Sequence, residues 1–386
     1  MFHTSKIEIS KSALQNNLDF LRGIIGPEVV FSSVVKGNAY GHGIENFVPL
    51  AESCGVKHFS VFSAVEAFAV KQASSDDSEV MIMGMIANDA LEWAIQNEVQ
   101  FFVFELDRLE HAIQVAKDLG IKARIHLELE TGMNRTGFSI QELRQAVPTL
   151  IENEQHIELE GLCTHYAGAE SIANHVRVKR QIRNFKKLRK LVLDSGLKPK
   201  KMHTACSAAA MRYPETRMDM VRIGILQYGF WPSRETFIHY MTKQDDGNIG
   251  PFINRLITWR STVMSTKEVA MGEFIGYGTS FLAQHDMEIA LIPIGYSHGF
   301  SRALSNSGRV LIQGQRVSVI GIVNMNAMAV DISGLNNTIQ KGDEVILIGE
   351  QGNLEVSVSS FSDLSNQLNY ELLTRLPHDI PRVVVN

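Results

Sequence analysis

Lys36 closes the apolar run FSSVV (31–35) and opens the segment KGNAYGHG. A charged ammonium at the tip of an apolar strand is costly to bury. A neutral or Schiff-base lysine removes that cost, and pyridoxal-phosphate chemistry uses one. A surface lysine that snorkels to water is the alternative, and position alone does not separate the two. Four more runs end in groups of comparable kind. ETGMNRTGF (130–138) carries Arg135, CTHYAG (163–168) carries His165, and TACSAAA (204–210) carries Ser207. VRIGI (221–225) carries Arg222, then Gly224 and Ile225. Taken singly, such a histidine is usually a hydrogen-bonded core residue and such an arginine is usually structural. Together, at the same end of successive strands, they point to a site. Ser207, Gly224 and Ile225 offer a hydroxyl and backbone N–H groups after the seventh and eighth strands, where barrels often hold phosphate.

The elements that must position these residues follow from hydropathy. Apolar runs lie at 31–35, 59–62, 80–84, 99–104, 123–129, 157–163, 201–206 and 220–225, with amphipathic stretches between most of them. Leu14, Leu18 and Leu21 share a helical face, as do Leu109, Ala112, Ile113 and Ala116; Ser139 and Glu142 make a capping-box signal before Leu143 and Val147. Eight β-then-α units predict an N-terminal (β/α)8 TIM barrel over 11–240, because crossover helices force parallel pairing. A doubly wound open sheet fits the same alternation. After Pro251 the pattern becomes strand after strand: RLITWRSTVMS, MEIALIPIGY, RVLIQG, RVSVIGIV, AMAVDIS and EVILIG. This predicts a mainly β C-terminal domain over 241–386, joined by a strand within 1–10.

Composition sets outer bounds. A net charge of −5 argues against a dedicated nucleic-acid or membrane-surface binder. Arg177 to Lys201 holds eleven basic residues and one acid, Asp194. Without useful interleaved aromatics it reads as a solvated outer helix rather than a nucleic-acid stripe. Cys54, Cys163 and Cys206 have no CxxC or zinc spacing, which predicts no metal and suits a reducing cytoplasm. MFHTSKIEIS lacks the apolar core of a signal peptide, and no run of about 18 apolar residues predicts a membrane span.

VVKGNAYGHG resembles the lysine signature of the alanine racemase family. The likeness continues in order through ETGMNRTGF, LEGLCTHYAG, VRIGI…YG, GEFIGYGTSF, IGYSHGFSR, NMNAM and NYELLTRLP. The resemblance implies a barrel plus β-domain homodimer that uses pyridoxal 5′-phosphate to interconvert L- and D-alanine, supplying D-alanine for peptidoglycan. It implies Lys36 as the Schiff-base lysine and one base, and Tyr277, donated by the partner subunit, as the opposite base. It places Arg222 at the pyridine nitrogen, His165 near the ring and Arg135 at the phenolic oxygen. Tyr40, Ser207, Gly224, Ile225 and Tyr370 would hold the phosphate, and Met325 the substrate carboxylate together with Arg135.

Removing a proton from one face of Cα and returning it on the other calls for two bases on opposite faces. Lysine and tyrosine side chains both titrate near 10 unperturbed, so a site using them must shift them. An arginine does not readily give its proton to the pyridine nitrogen, which makes the cofactor a weaker electron sink and discourages transamination. Several positions depart from the family pattern. Gly37 replaces a common alanine, and Cys206 a common asparagine. Ile322, Asn326 and His298 stand where Arg, Asp and Asp are frequent. Glu128 stands where many members carry a lysine that becomes carbamylated, and is expected to orient Arg135 directly or through one water. Rival readings are a racemase of broader range, a same-fold decarboxylase, which normally has a glutamate at the pyridine nitrogen, a shorter non-catalytic carrier, and an inactive homologue.

Overall fold

A computed structural model describes residues 3–243, 253–365 and 369–386. Pro251, the expected point of change, lies outside the described residues. The chain forms two compact units: residues 12–36 with 48–255, and residues 1–11 with 37–47 and 256–386.

The first unit is the barrel. Its strands are β2 (Val30–Val34), β3 (His58–Val61), β4 (Glu79–Ile82), β5 (Gln100–Val103), β6 (Ala123–Glu128), β7 (Ile157–Cys163), β8 (Lys201–His203) and β9 (Met220–Ile223). They run in the order β8-β7-β6-β5-β4-β3-β2-β9 with every pairing parallel. The sheet nearly closes: β8 and β9 meet through a single bridge between Cys206 and Arg222. An open doubly wound sheet is thereby excluded. β3, β5 and β9 are buried at every position, as strands covered on both faces must be.

The helices that return the chain bury the expected faces. Lys11–Ile25 turns Leu14, Leu18 and Leu21 inward, and Leu106–Leu119 buries Leu109, Ala112, Ile113 and Ala116. Ile140–Glu152 begins with the capping box: the Ser139 side chain accepts from Glu142 N, and Glu142 accepts from Ser139 N. The basic segment forms His175–Asp194, which buries Val178, Ile182, Phe185, Leu188 and Val192 and exposes Arg177, Arg180, Arg183, Lys186, Lys187 and Lys190.

The second unit is a ten-stranded sheet. It contains β1 (Ser5–Ser10), β10 (Ile257–Thr262), β11 (Ser265–Val269), β12 (Met287–Ile292), β13 (Arg309–Ile312), β14 (Gln315–Ile320), β15 (Met328–Asp331), β16 (Glu344–Gln351), β17 (Leu354–Val356) and β18 (Arg382–Val385). β1 lies between β10, antiparallel, and β18, parallel. Trp259, Phe300 and Phe361 stack in its core, with ring centroids 6.4 and 5.2 Å apart.

Residues 37–47 belong to this β unit, which chain order did not suggest. The physical reason is a left-handed turn: Gly37, Asn38, Ala39, Tyr40 and Gly41 all have φ between 51° and 82°. A Cβ on Gly41 would lie 1.9 Å from Leu373 O, so only glycine fits. Arg382 then ties the turn down, donating to Gly41 O from Nε (3.2 Å) and Nη2 (3.0 Å). Non-glycine residues in this conformation cost about 1–2 kcal/mol each, and these bonds offset part of it. Among the described residues no helix is long and apolar enough to cross a membrane.

Candidate active site

Because the barrel strands are parallel, their C-terminal ends share one rim. Lys36 follows β2. Glu128 ends β6, with Arg135 in the loop beyond it. His165 lies two residues past β7, Ser207 four past β8, and Arg222 with Gly224 at the end of β9. The structure thus brings together the barrel residues singled out in the sequence. Tyr40, Tyr277, Met325 and Tyr370 lie in the β unit. There Tyr40 and Tyr370 pack ring to ring with centroids 6.1 Å apart. Tyr277 and Met325 are exposed, by 74% and 56%.

Of the two alternatives left open for Lys36, the structure favours the exposed one: solvent reaches its side chain. Protein still surrounds the amine enough for desolvation to be the first cause lowering its pKa, and the Arg135 charge pushes the same way. These two causes agree in sign, against the opposing pull of Glu66 and Cys206, so the amine gives up its proton more readily than a free lysine. His165 is held neutral, its pKa pushed down to about 3 by burial and by the charges of Arg222, Arg135 and Lys36. Arg222 is buried and fastened from the barrel interior. Nη2 donates to Thr164 O at 2.7 Å, and Nη1 donates to His203 Nδ1 and, at 3.1 Å, to His203 O. Ser207 Oγ accepts from Gly224 N at 3.0 Å, which fixes the hydroxyl beside the turn that leads to Ile225.

Glu128 is buried, and burial raises its pKa against the opposing pull of a hydrogen bond from the Thr136 side chain and of the Arg222 and Arg135 charges. Its Oε2 has no partner. Among the described residues Glu128 and Arg135 form no direct ion pair, so the direct form of the expected contact is absent. The charges nonetheless act on one another.

This donor set fits an aromatic aldehyde phosphate. An unpaired amine can condense with the aldehyde. A guanidinium whose bonds all come from the barrel interior can face a ring nitrogen. The Ser207 hydroxyl and the Gly224–Ile225 backbone suit a phosphate. Among the described residues no cluster of His, Cys, Asp and Glu could hold a metal ion.

Sequence reasoning passed over His126, His203 and Gln100, which lie behind Arg222 with no exposed surface. Their signal was a polar residue inside an apolar strand, as in RIHLEL and KMHTAC. It also missed Glu66, whose charge raises the Lys36 pKa.

Comparison with known proteins agrees over the whole chain. Residues 9–232 match the family model "Alanine racemase, N-terminal domain", and residues 256–384 match "Alanine racemase, C-terminal domain". The alanine racemase of Leptospira interrogans serovar copenhageni is 32% identical over 384 residues, covering 100% of this chain and 96% of that one. The solved alanine racemase of Clostridium difficile 630 superposes with a TM-score of 0.89 at 28% identity, covering 100% and 96% of the two chains. The alanine racemase of Bartonella henselae, solved with covalently bound pyridoxal phosphate, gives 0.84 at 25% identity and full coverage of both. A barrel of parallel strands, a lysine at its rim and a fastened arginine on the neighbouring strand therefore have a common origin with these enzymes: the chain belongs to the alanine racemase family.

Proposed function

We propose that the chain is a pyridoxal-phosphate-dependent racemase that interconverts L- and D-alanine by two bases, Lys36 and the Tyr277 of a second copy. The observation that carries the reading is Lys36: an amine at the barrel rim, its pKa lowered by desolvation, on the same rim as a buried guanidinium. When bound, the cofactor would supply a conjugated sink for the negative charge that develops at the substrate Cα.

The chain's own residues do the rest. Lys36 Nζ takes or returns the Cα proton on one face. The Tyr277 hydroxyl does so on the other, and its exposure fits a group presented to a partner rather than kept. Arg222 holds a positive charge that it does not surrender. This limits how far the ring nitrogen is protonated and favours simple proton return over transamination. Arg135 and the exposed Met325 would receive the substrate carboxylate. Tyr40, Ser207, Gly224, Ile225 and Tyr370 would hold the phosphate. Glu128 acts as a positioning residue, its unpartnered Oε2 free to reach Arg135 through one water. The D-alanine formed would serve peptidoglycan. Sparse, unpaired cysteines suit work in the cytoplasm.

The test is to reduce the purified protein with borohydride and map the modified lysine, then to follow L-to-D conversion over a panel of amino acids. Label on Lys36 and a preference for alanine are expected. A small pocket rejects one added group by only about 1–3 kcal/mol, so serine should turn over weakly. Label on another lysine, or lysine and arginine as the better substrates, overturns the reading.

A further inference from the structure

Behind Arg222 a file of polar side chains runs through the barrel interior, and no step of the proposed reaction uses it. His203 Nε2 lies 2.8 Å from His126 Nδ1, and His126 Nε2 lies 2.7 Å from Gln100 Oε1. Gln100, His126 and His203 are fully buried and Arg222 nearly so. The rings of His126 and His203 meet edge to face, and Phe102 packs 5.9 Å from each.

The direction of every bond in this file is determined. A guanidinium only donates, so His203 Nδ1, which faces Arg222 Nη1, must accept. A neutral imidazole carries one proton, which then sits on Nε2 and is donated to His126 Nδ1. The same step puts the His126 proton on Nε2, donated to the Gln100 oxygen. Turning the Gln100 amide round would demand an imidazole with no proton at all. Both rings are kept neutral by burial, and the Arg222 charge adds to this. His58, Lys201 and Arg124 also face His126 and push the same way.

Room for the file depends on one residue. Gly161 on β7 stands in register between His126 on β6 and Lys201 on β8. A Cβ there would lie 2.1 Å from His126 Nδ1 and 2.9 Å from His203 Nε2. The backbone of Gly161 is not in the left-handed region, so its need is space, not conformation.

We infer that His203, His126 and Gln100, in the space left by Gly161, form a one-way hydrogen-bond file that positions Arg222 and keeps its charge on the guanidinium. His126 and Gln100 are then positioning residues for a reaction that neither touches. The inference rests on the reading of Arg222 as the group that faces the cofactor ring. Bonds aligned in one direction polarise each other. Breaking the file at its far end frees His203 to present an N–H, and Arg222 then meets a donor where it had an acceptor.

The experiment is nitrogen NMR of the full-length protein with labelled histidine, cofactor-free and loaded, at about pH 6 to 8, where an ordinary histidine would titrate. His126 and His203 should both show Nδ1 bare and Nε2 protonated throughout. Gln100→Leu removes the terminal acceptor. It should mix the His126 tautomers and lower kcat about tenfold, the scale on which orienting groups act, with KM little changed and borohydride labelling of Lys36 intact. Gly161→Ala drives a methyl into the junction and should do the same. A proton on Nδ1 of either ring in the unaltered protein overturns the file, as does unaltered kcat in both variants. If the tautomers are as expected but no amino acid is racemised, the functional reading falls and takes the file's catalytic meaning with it. Racemisation with the wrong tautomers overturns the file alone.

Discussion

In the barrel unit the hydrogen-bonding side chains lie inside: Gln100, His126, His203, Glu128 and Arg222 are all buried. In the β unit Tyr277 and Met325 project 74% and 56% exposed from a core led by Trp259 and Phe300. The barrel has already removed its polar groups from water and, Glu128 Oε2 and a few other atoms aside, given them partners. The β unit leaves Tyr277 and Met325 in water. Burial fixes the partners of the barrel's interior groups, whereas Lys36 and Arg135 on the barrel rim, like Tyr277 and Met325, remain open to solvent.

Breaking one base in each unit gives the largest expected effect. Lys36→Ala should abolish turnover. Tyr277→Phe should slow the two directions unequally, by roughly 10²–10⁴-fold in the direction that needs it. If Tyr277 acts in trans, mixed Lys36→Ala and Tyr277→Phe subunits should regain activity, because one site in each heterodimer would be intact; no recovery despite proven subunit exchange would remove Tyr277 from a shared site. Glu128→Gln tests the barrel carboxyl whose Oε2 lacks a hydrogen-bond partner among the described residues. Losing its charge should cost turnover up to about tenfold by loosening Arg135. Burial raises the Glu128 pKa above 4.5, so the ionised side chain costs stability at neutral pH. The Gln variant should therefore melt higher at pH 7, and the gap should close as pH falls toward 4.5. A variant with unaltered turnover and unaltered melting would show that Glu128 faces neither arginine's field.

Acid should weigh more on the barrel, which holds several histidines of lowered pKa, than on the β unit, where the His42 pKa is lowered to about 4. His58, His126, His165 and His203 all have lowered pKa values in the fold. Below the ordinary histidine value of 6.5 the unfolded chain binds protons that the barrel refuses. Barrel stability should therefore fall with pH from there, down through about 4, where His58 itself charges. Calorimetry at stepped pH checks this, and a melting temperature that stays flat over that window contradicts it. The smallest effect is local: Ser139→Ala removes one half of the capping box and should cost about 0.5–2 kcal/mol without altering turnover.

Much of this was legible in advance, because alternation between buried strands and amphipathic helices is a one-dimensional signal. The run at 31–35 became Val30–Val34, and 157–163 became Ile157–Cys163 without change. RLITWRSTVMS, read as one strand, divides at Val263 and Met264 into β10 and β11, since the chain there leaves one pairing partner for another. The left-handed turn after Lys36 was hidden because Ala39 and Tyr40 do not ordinarily adopt positive φ, and the Arg382 bonds that hold Gly41 come from 341 positions away. The file behind Arg222 was hidden for another reason. His126 and His203 are 77 positions apart, and only the register of three parallel strands reveals that they touch.

β1 imposes an order on biosynthesis. Glu8 on this strand receives a hydrogen bond from Arg260, 252 positions later. At about 5–20 residues per second on the ribosome, the strand waits roughly ten to fifty seconds for its first neighbour. Its second neighbour, β18, is later still. During that interval the barrel segments can collapse while an unpaired strand of alternating buried and exposed residues is open to any edge it meets. The nascent chain is therefore most exposed to mispairing at this strand, and a chaperone that shields Ser5–Ser10 should raise the yield of native protein more than one acting on the barrel.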